Sequence, residues 1–344
     1  MIFSKKGVRV MASGENLEKL FKAFKENNQV EFSKVAYDII EEEKKKNHYL
    51  LADKLSRILF DDNYTLSLCR SRNINNRQLP TDKETGFQLL EMKFSKVLLD
   101  DIILTPDNKE KIKDIILEFE QKEILQTYKL NPKTKILFCG PPGCGKTVTA
   151  KSIANELQLP LLYTRFDSII SSYLGETATN LRKVFDFAKE GEWVLFFDEF
   201  DSIGKSRSID SEHGELKRVV NSFLQLLDNF SRNTMVIAAT NYETIIDKAL
   251  WRRFDEIIYF DMPKKDDIEK FIRLKLRNYS HKELNVERHI NNLVGLSYAD
   301  IERICYEAIK KMVLNGLDTI EDSLFEKIIL KERDRRELMK KSMG

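Results

Sequence analysis

The spacing of apolar positions changes twice along this chain. Between Asn16 and Phe60 they recur at helical intervals: Leu17, Leu20, Phe21 and Phe24, then Phe32, Val35, Ala36, Ile39 and Ile40, then Leu51, Leu55, Ile58 and Leu59. The polar breaks Glu26-Asn27-Asn28 and Lys44-Lys45-Lys46-Asn47 separate these groups. Residues 1–60 therefore predict a small N-terminal bundle of about three helices, a size at which a core is barely self-supporting. Residues 61–86 read as a linker, with Asp61–Pro80 rich in Asn, Arg and Ser.

From 87 to 263 short, continuously apolar runs alternate with helical stretches, the pattern of an α/β domain with a parallel sheet. The predicted strands are Lys135–Cys139, Pro160–Tyr163, Trp193–Asp198, Met235–Thr240 and Glu256–Phe260. Their unbroken apolar character suits strands covered on both faces. From 264 to 344 only helical spacing remains, over Ile268–Leu276, Ala299–Val313 and Ser323–Leu330. This predicts a compact helical subdomain ending in a charged tail, Lys331–Gly344, that is expected to fray.

Composition adds limits. A chain of 344 residues suggests two or three domains. A net charge of +2 gives no global electrostatic case for nucleic acid or an anionic membrane. Cys69, Cys139, Cys144 and Cys305 form no CxxC pair, which points to reduced thiols. His48, His213, His281 and His289 are too scattered to propose a zinc site. Met1–Val10 lacks the apolar core of a signal peptide, and no run approaches the ~20 apolar residues of a membrane span. The expectation is a soluble, cytoplasmic protein.

The most specific motif is Gly140-Pro141-Pro142-Gly143-Cys144-Gly145-Lys146-Thr147, which fits the phosphate-loop pattern G-x-x-x-x-G-K-[ST]. It stands between a predicted strand and a predicted helix, Val148–Leu157, where that pattern has to stand. Glycines let backbone N–H groups turn inward around phosphates, and the helix start adds its positive dipole end. In this pattern Lys146 reaches the β- and γ-phosphates and the Thr147 hydroxyl ligates Mg²⁺. The motif implies a nucleoside triphosphate site.

Val194-Leu195-Phe196-Phe197-Asp198-Glu199 delivers two carboxylates at the end of a buried strand, about fifty residues after the loop. Asp198 is the candidate Mg²⁺ holder and Glu199 the candidate general base for the attacking water. Met235–Thr240 ends in Asn241, whose amide could orient that water or sense the γ-phosphate; a turn-forming Asn reads the same way.

These motifs, followed by Ala249-Leu250-Trp251-Arg252-Arg253-Phe254-Asp255, resemble AAA+ ATPases of the classical clade over roughly residues 95–330. The resemblance implies a P-loop NTPase fold with a five-stranded parallel sheet and a C-terminal helical lid. It implies ATP and Mg²⁺ as cofactors and ATP hydrolysis as the reaction. It also implies that Arg252 and Arg253 act as arginine fingers in a neighbouring subunit's site, so that a homo-oligomeric ring, a hexamer, is required. Ile102 and Ile103 resemble the segment that cradles the adenine. Gly295-Leu296-Ser297-Tyr298-Ala299-Asp300-Ile301 resembles the start of the lid helix beside it, with Ala299 near the base. The nucleotide-binding set then comprises Gly140, Pro141, Pro142, Gly143, Cys144, Gly145, Lys146, Thr147, Val148, Ile102, Ile103 and Ala299.

Tyr173-Leu174-Gly175 resembles the aromatic pore loop of substrate-threading rings, in which a ring side chain grips an extended polypeptide. Tyr173 as an ordinary packed aromatic is the alternative. Ser206–Gly214 matches a second pore-facing loop more loosely. Asp228-Asn229-Phe230 departs from the family's Asp-Gly-Phe intersubunit motif at its middle residue, which leaves its role in cross-subunit coupling open. Two function classes follow: a ring that remodels, unfolds or threads a protein partner, or an ATP-gated ring that controls an effector without threading. A DNA-acting motor is a third, disfavoured by the absence of a basic stripe. The overall plan also resembles bacterial ATPases encoded beside subtilisin-like serine proteases in loci linked to phage defence, which implies a separate protease partner. The chain itself carries neither G-x-S-x-G nor HExxH.

Overall fold

Alternation within each apolar run decides which face of the sheet a side chain meets. Ile136, Phe138, Phe196 and Ile237 join one buried cluster with Ile112, Ile115 and Phe119 of α3 (Pro106–Glu120) and Ile153 and Ala154 of α5 (Lys146–Glu156). On the other face Phe197 stacks on Phe185 of α6 (Leu174–Lys189) at 5.5 Å and meets Phe223 of α7 (His213–Asp228) edge-on at 5.2 Å. Helices thus cover both faces, which is why the strands are apolar without a break.

The computed structural model describes residues 14–25, 29–45, 78–83, 85–165, 169, 174–200, 213–230, 233–241, 251–279 and 284–342. The chain divides into two units, 1–78 and 79–344. In the first, α1 (Gly14–Lys25) and α2 (Gln29–Lys45) form an antiparallel hairpin. Asn16 donates to Glu42 at one end (3.1 Å) and Phe24 meets Phe32 at the other (ring centroids 6.2 Å). Ala23, Val35, Ile39 and Ile40 are buried, whereas Phe21 is exposed. The expected third helix, Leu51–Leu59, lies outside the described residues.

The second unit holds a six-stranded sheet of order β1-β3-β4-β5-β2-β6. Its strands are β1 (Glu91–Lys93), β2 (Lys135–Cys139), β3 (Leu161–Arg165), β4 (Val194–Asp198), β5 (Met235–Thr240) and β6 (Glu256–Tyr259). The five strands expected from sequence are present and parallel; β1 adds an antiparallel edge on β3. The opening of α3 is written locally, with Thr105 accepting from the Asn108 N–H at 3.3 Å and Pro106 in the first turn. A six-residue helix, α4 (Lys122–Thr127), follows it.

Residues 79–90, which sequence reading placed partly in a linker, fold onto this unit. The buried Asp82 carboxylate accepts from Thr85 N (2.9 Å), Thr85 Oγ1 (3.1 Å) and Asn180 Nδ2 of α6 (2.7 Å). Lys183 of α6 donates to Thr81 O at 2.9 Å, and Thr164 of β3 donates to Leu89 O at 2.7 Å.

The C-terminal subdomain packs α8 (Lys265–Leu276), α9 (Val286–Leu293), α10 (Tyr298–Leu314) and α11 (Asp322–Ser342) around their own core. That core includes Ile268, Ile272, Ile301, Ile304, Phe325 and Ile329. Helix α9 was not expected; Asn285 caps it by accepting from Arg288 N at 3.2 Å, and His289 is buried with its Nε2 2.7 Å from Asp322 Oδ1. The expectation of a frayed tail from Lys331 is corrected: α11 runs unbroken to Ser342. Its charged segment is held by an Arg303–Glu332 ion pair and by Arg336 donating to Gly295 O at 2.7 Å. No helix among the described residues is long and apolar enough to cross a membrane.

Candidate functional site

The carboxyl ends of β2 and β4 bring the predicted residues together. After β2 the chain turns through Gly140 (φ +136°), Gly143 (φ +74°) and Gly145 (φ +100°), a backbone that side chains with a Cβ rarely adopt. Gly140 has a second reason to be glycine: a Cβ there would sit 2.1 Å from Phe260 O. Lys146, the first residue of α5, is buried, and its ammonium donates to Gly140 O (2.7 Å) and Pro141 O (2.8 Å) at the mouth of the loop. Cys144 is buried with its Sγ 3.5 Å from Met262 Sδ, and burial pushes its thiol pKa up. Cys139, Cys144 and Cys305 are buried and form no disulfide; Cys69 lies outside the described residues.

Asp198 is fixed from three directions. Its Oδ2 accepts from Thr147 Oγ1 (3.1 Å) and from Tyr163 Oη (3.1 Å), and its Oδ1 accepts from the Glu199 N–H (2.9 Å). Thr147 and Asp198 therefore present adjacent hard oxygen donors, the set Mg²⁺ takes with phosphate oxygens and water. The residues fit the ion. Glu199 is exposed and holds φ +53°, a left-handed conformation that costs a non-glycine residue about 1 kcal/mol. The next residue explains how it is kept: Phe200 is buried against Phe223 (4.8 Å), and its N–H donates to Ala239 O of β5 at 2.9 Å.

Asn241 follows β5, which lies between β4 and β2, so it is half-buried between the acidic strand and the phosphate loop. Ala299, at the start of α10, donates its N–H to Gly143 O at 3.1 Å. Ile102 is buried and Ile103 packs on the lid core, with Arg277 of the lid bonded to Asp101 at 2.9 Å. The three residues proposed around the base thus lie along the seam between lid and loop.

Arg252 and Arg253 lie elsewhere. Asp255, two residues on, accepts from the Thr134 and Lys135 N–H groups (2.9 Å each), which ties this turn to the amino end of β2. The phosphate loop leaves the carboxyl end of the same strand, about 13 Å along it. Arg253 pairs instead with Asp228 at the end of α7. Both arginines are exposed. Asn229, the residue that departs from Asp-Gly-Phe, bonds back to Gln225 O at 3.0 Å and closes α7, while Phe230 packs edge-on against Phe185 at 5.1 Å. Tyr173 lies outside the described residues, as does Ser206–Glu212; Leu174 and Gly175 open α6.

Tyr163 was missed in the sequence because it lies 35 positions from Asp198 and only strand pairing brings them together. Removing its hydroxyl leaves Oδ2 with a single donor from this pair. Tyr163→Phe is expected to raise the Mg²⁺ concentration needed for half-maximal ATP turnover by about ten- to a hundredfold, the worth of one hydrogen bond to a charged group. A Mg²⁺ titration checks this, and an unchanged half-point would assign Tyr163 to packing alone.

Comparison with known proteins gives consistent results. Residues 136–262 match the family described as ATPase family associated with various cellular activities (AAA). The chain is 38% identical over 326 residues to an uncharacterized AAA family ATPase of Sinorhizobium fredii, spanning 95% of this chain and 97% of that protein. It is 30% identical over 259 residues to a Plasmodium falciparum protein whose name assigns it provisionally as a cell division cycle ATPase; the match covers 73% of this chain and 20% of that much longer protein.

Proposed function

The chain belongs to the AAA family of ATPases and hydrolyses ATP, and from that premise we propose that it works as one subunit of a homo-oligomeric ring, a hexamer, that remodels or threads a protein partner. In the hydrolytic step Glu199 takes a proton from water as the water oxygen bonds to the γ-phosphorus and the bond to the β-phosphate oxygen breaks. The products are ADP and inorganic phosphate. Lys146 and the inward backbone N–H groups of the loop hold the phosphates, and Asn241 orients the water. Mg²⁺, held by Thr147 and Asp198, would draw charge off the phosphate oxygens when bound. Arg252 and Arg253 reach the site of the adjacent subunit, a reading supported by their position at the far end of β2 from their own loop.

The observation that carries the remodelling reading is the Tyr163–Asp198 hydrogen bond. It ties the carboxylate at the nucleotide site to β3, the strand from which the chain leads to Tyr173 and α6. That connection supports the reading in which a change at the γ-phosphate is passed through β3 to the segment proposed to grip polypeptide. On this reading the N-terminal helices recruit the client, and a separate subtilisin-like serine protease, in the setting of phage defence, consumes what the ring delivers.

Tyr173→Ala tests it. The variant is expected to keep ATP turnover within about twofold while losing unfolding of a fluorescent model protein bearing an unstructured tail. Retained unfolding would exclude a gripping role. Retained turnover with full activation of a co-purifying effector would instead mean an ATP-gated regulatory ring.

A further inference from the structure

The charged end of α11 is in direct contact with the turn that closes on the phosphate loop. Gly295 (φ +85°) begins this turn, and Ser297 and Asp300 form a reciprocal cap at the start of α10. Asp300 Oδ2 accepts from Ser297 N (3.0 Å) and Ser297 Oγ (2.7 Å), and Asp300 N donates back to Ser297 Oγ at 3.3 Å. On its other side the turn touches the loop itself. Ala299 N donates to Gly143 O at 3.1 Å, and a Cβ on Gly143 would lie 2.6 Å from Ser297 Oγ. The turn and the loop are thus joined by a hydrogen bond and stand too close for any side chain at residue 143, so a displacement of the turn bears on Gly143.

Arg336 bridges the two ends of that turn. Its guanidinium spans both ends: Nη1 donates to Gly295 O at 2.7 Å, and Nη2 lies 3.4 Å from Asp300 Oδ2. A planar fork can serve a carbonyl and a carboxylate at once, which a lysine ammonium does less well. One turn earlier on α11, the nearly buried Glu332 pairs with Arg303, whose other nitrogen lies 3.5 Å from Asp300 Oδ1. Asp300 is thus held by two arginines, one from its own helix and one from the C-terminal helix.

We propose that Arg336 is a positioning residue for nucleotide binding, holding the Gly295–Asp300 turn against Gly143 so that the phosphate loop keeps its ligand. The inference rests on the nucleotide site described above, and it makes α11 the element through which anything that grasps the C-terminal end alters nucleotide residence.

The test compares intact wild-type protein with Arg336→Ala, Arg336→Lys and Arg335→Ala, the last removing an exposed arginine that lies 4.0 Å from Glu332. The readouts are release of a fluorescent N-methylanthraniloyl-ADP and the separate KM and kcat for ATP. Arg336→Ala is expected to speed release and raise KM by about five- to tenfold with kcat within about twofold. Arg336→Lys is expected to recover part of the loss, and Arg335→Ala to match wild type. Equal release rates for wild type and Arg336→Ala would overturn the proposal, as would equal losses in Arg335→Ala. Wild-type protein that failed to bind the labelled ADP would overturn the nucleotide site itself.

Discussion

Glu199→Gln is expected to bind ATP as tightly as wild type and to hydrolyse it at least about a hundredfold more slowly, because a general base contributes roughly 10²–10⁴ to such a step. The amide keeps the size and the exposed position of the carboxylate but cannot accept the proton of the attacking water. Binding is expected to be spared because on the proposed reading it depends on other groups: the phosphate loop, the Lys146 ammonium and the Thr147–Asp198 pair. The strained backbone at Glu199 is also spared, since Phe200 holds it through its buried ring and its bond to Ala239 O. Turnover by phosphate release, set beside retention of labelled ATP on a filter, separates the two effects. Turnover within about threefold of wild type would remove Glu199 from the base role.

The second large effect concerns the arginine pair. Changing Arg252 and Arg253 together to alanine is expected to lower turnover by about 10³ or more while leaving ATP binding nearly intact, since arginine acting on the transferring phosphoryl group is worth roughly 10³–10⁵. A loss of that size could also come from local damage: Arg253 pairs with Asp228, and the next residue but one, Asp255, caps the amino end of β2. Mixing decides between these. Protein lacking both arginines has an intact Glu199, and Glu199→Gln protein has intact arginines. If the arginines act across subunits, an equimolar mixture of the two inactive proteins regains about a quarter of wild-type turnover, the fraction of interfaces that pair a good base with good arginines. If they act within the chain, the mixture stays inactive.

What could be read from sequence follows the range over which each signal acts. The central strands β2, β4 and β5 were legible because each is an apolar run covered by helices on both faces, whereas β6, at the sheet edge, shows only through Ile257 and Ile258 between a half-buried Glu256 and an exposed Tyr259. The edge strand β1 was not, since Glu91-Met92-Lys93 carries no apolar pattern and exists through its pairing with Leu161–Tyr163. Helix α9 hid for a similar reason: Val286, His289 and Leu293 are its buried positions, and a histidine gives no apolar signal. The charged end of α11 reads locally as solvated tail; only its tertiary partners, Arg303, Gly295 and Asp300, show otherwise. In the site, Lys146, Thr147 and Asp198 were legible because phosphate and Mg²⁺ chemistry demands those types at fixed spacing. The Tyr163 hydroxyl and the left-handed Glu199 were not, because both arise from how β3 and β5 sit beside β4.

The anchorage of Asp82 on α6 carries a mechanical meaning of its own. A pull arriving along the chain at Gln78 meets Thr81–Lys183, Asp82–Asn180 and Leu89–Thr164 before it reaches β1. Those contacts end on α6 and β3, whose neighbour β4 carries Asp198. The ATPase unit is therefore fastened near its amino-terminal boundary to the helix and the strand that stand beside Asp198, so a load entering there arrives next to the nucleotide site rather than at a remote corner of the sheet.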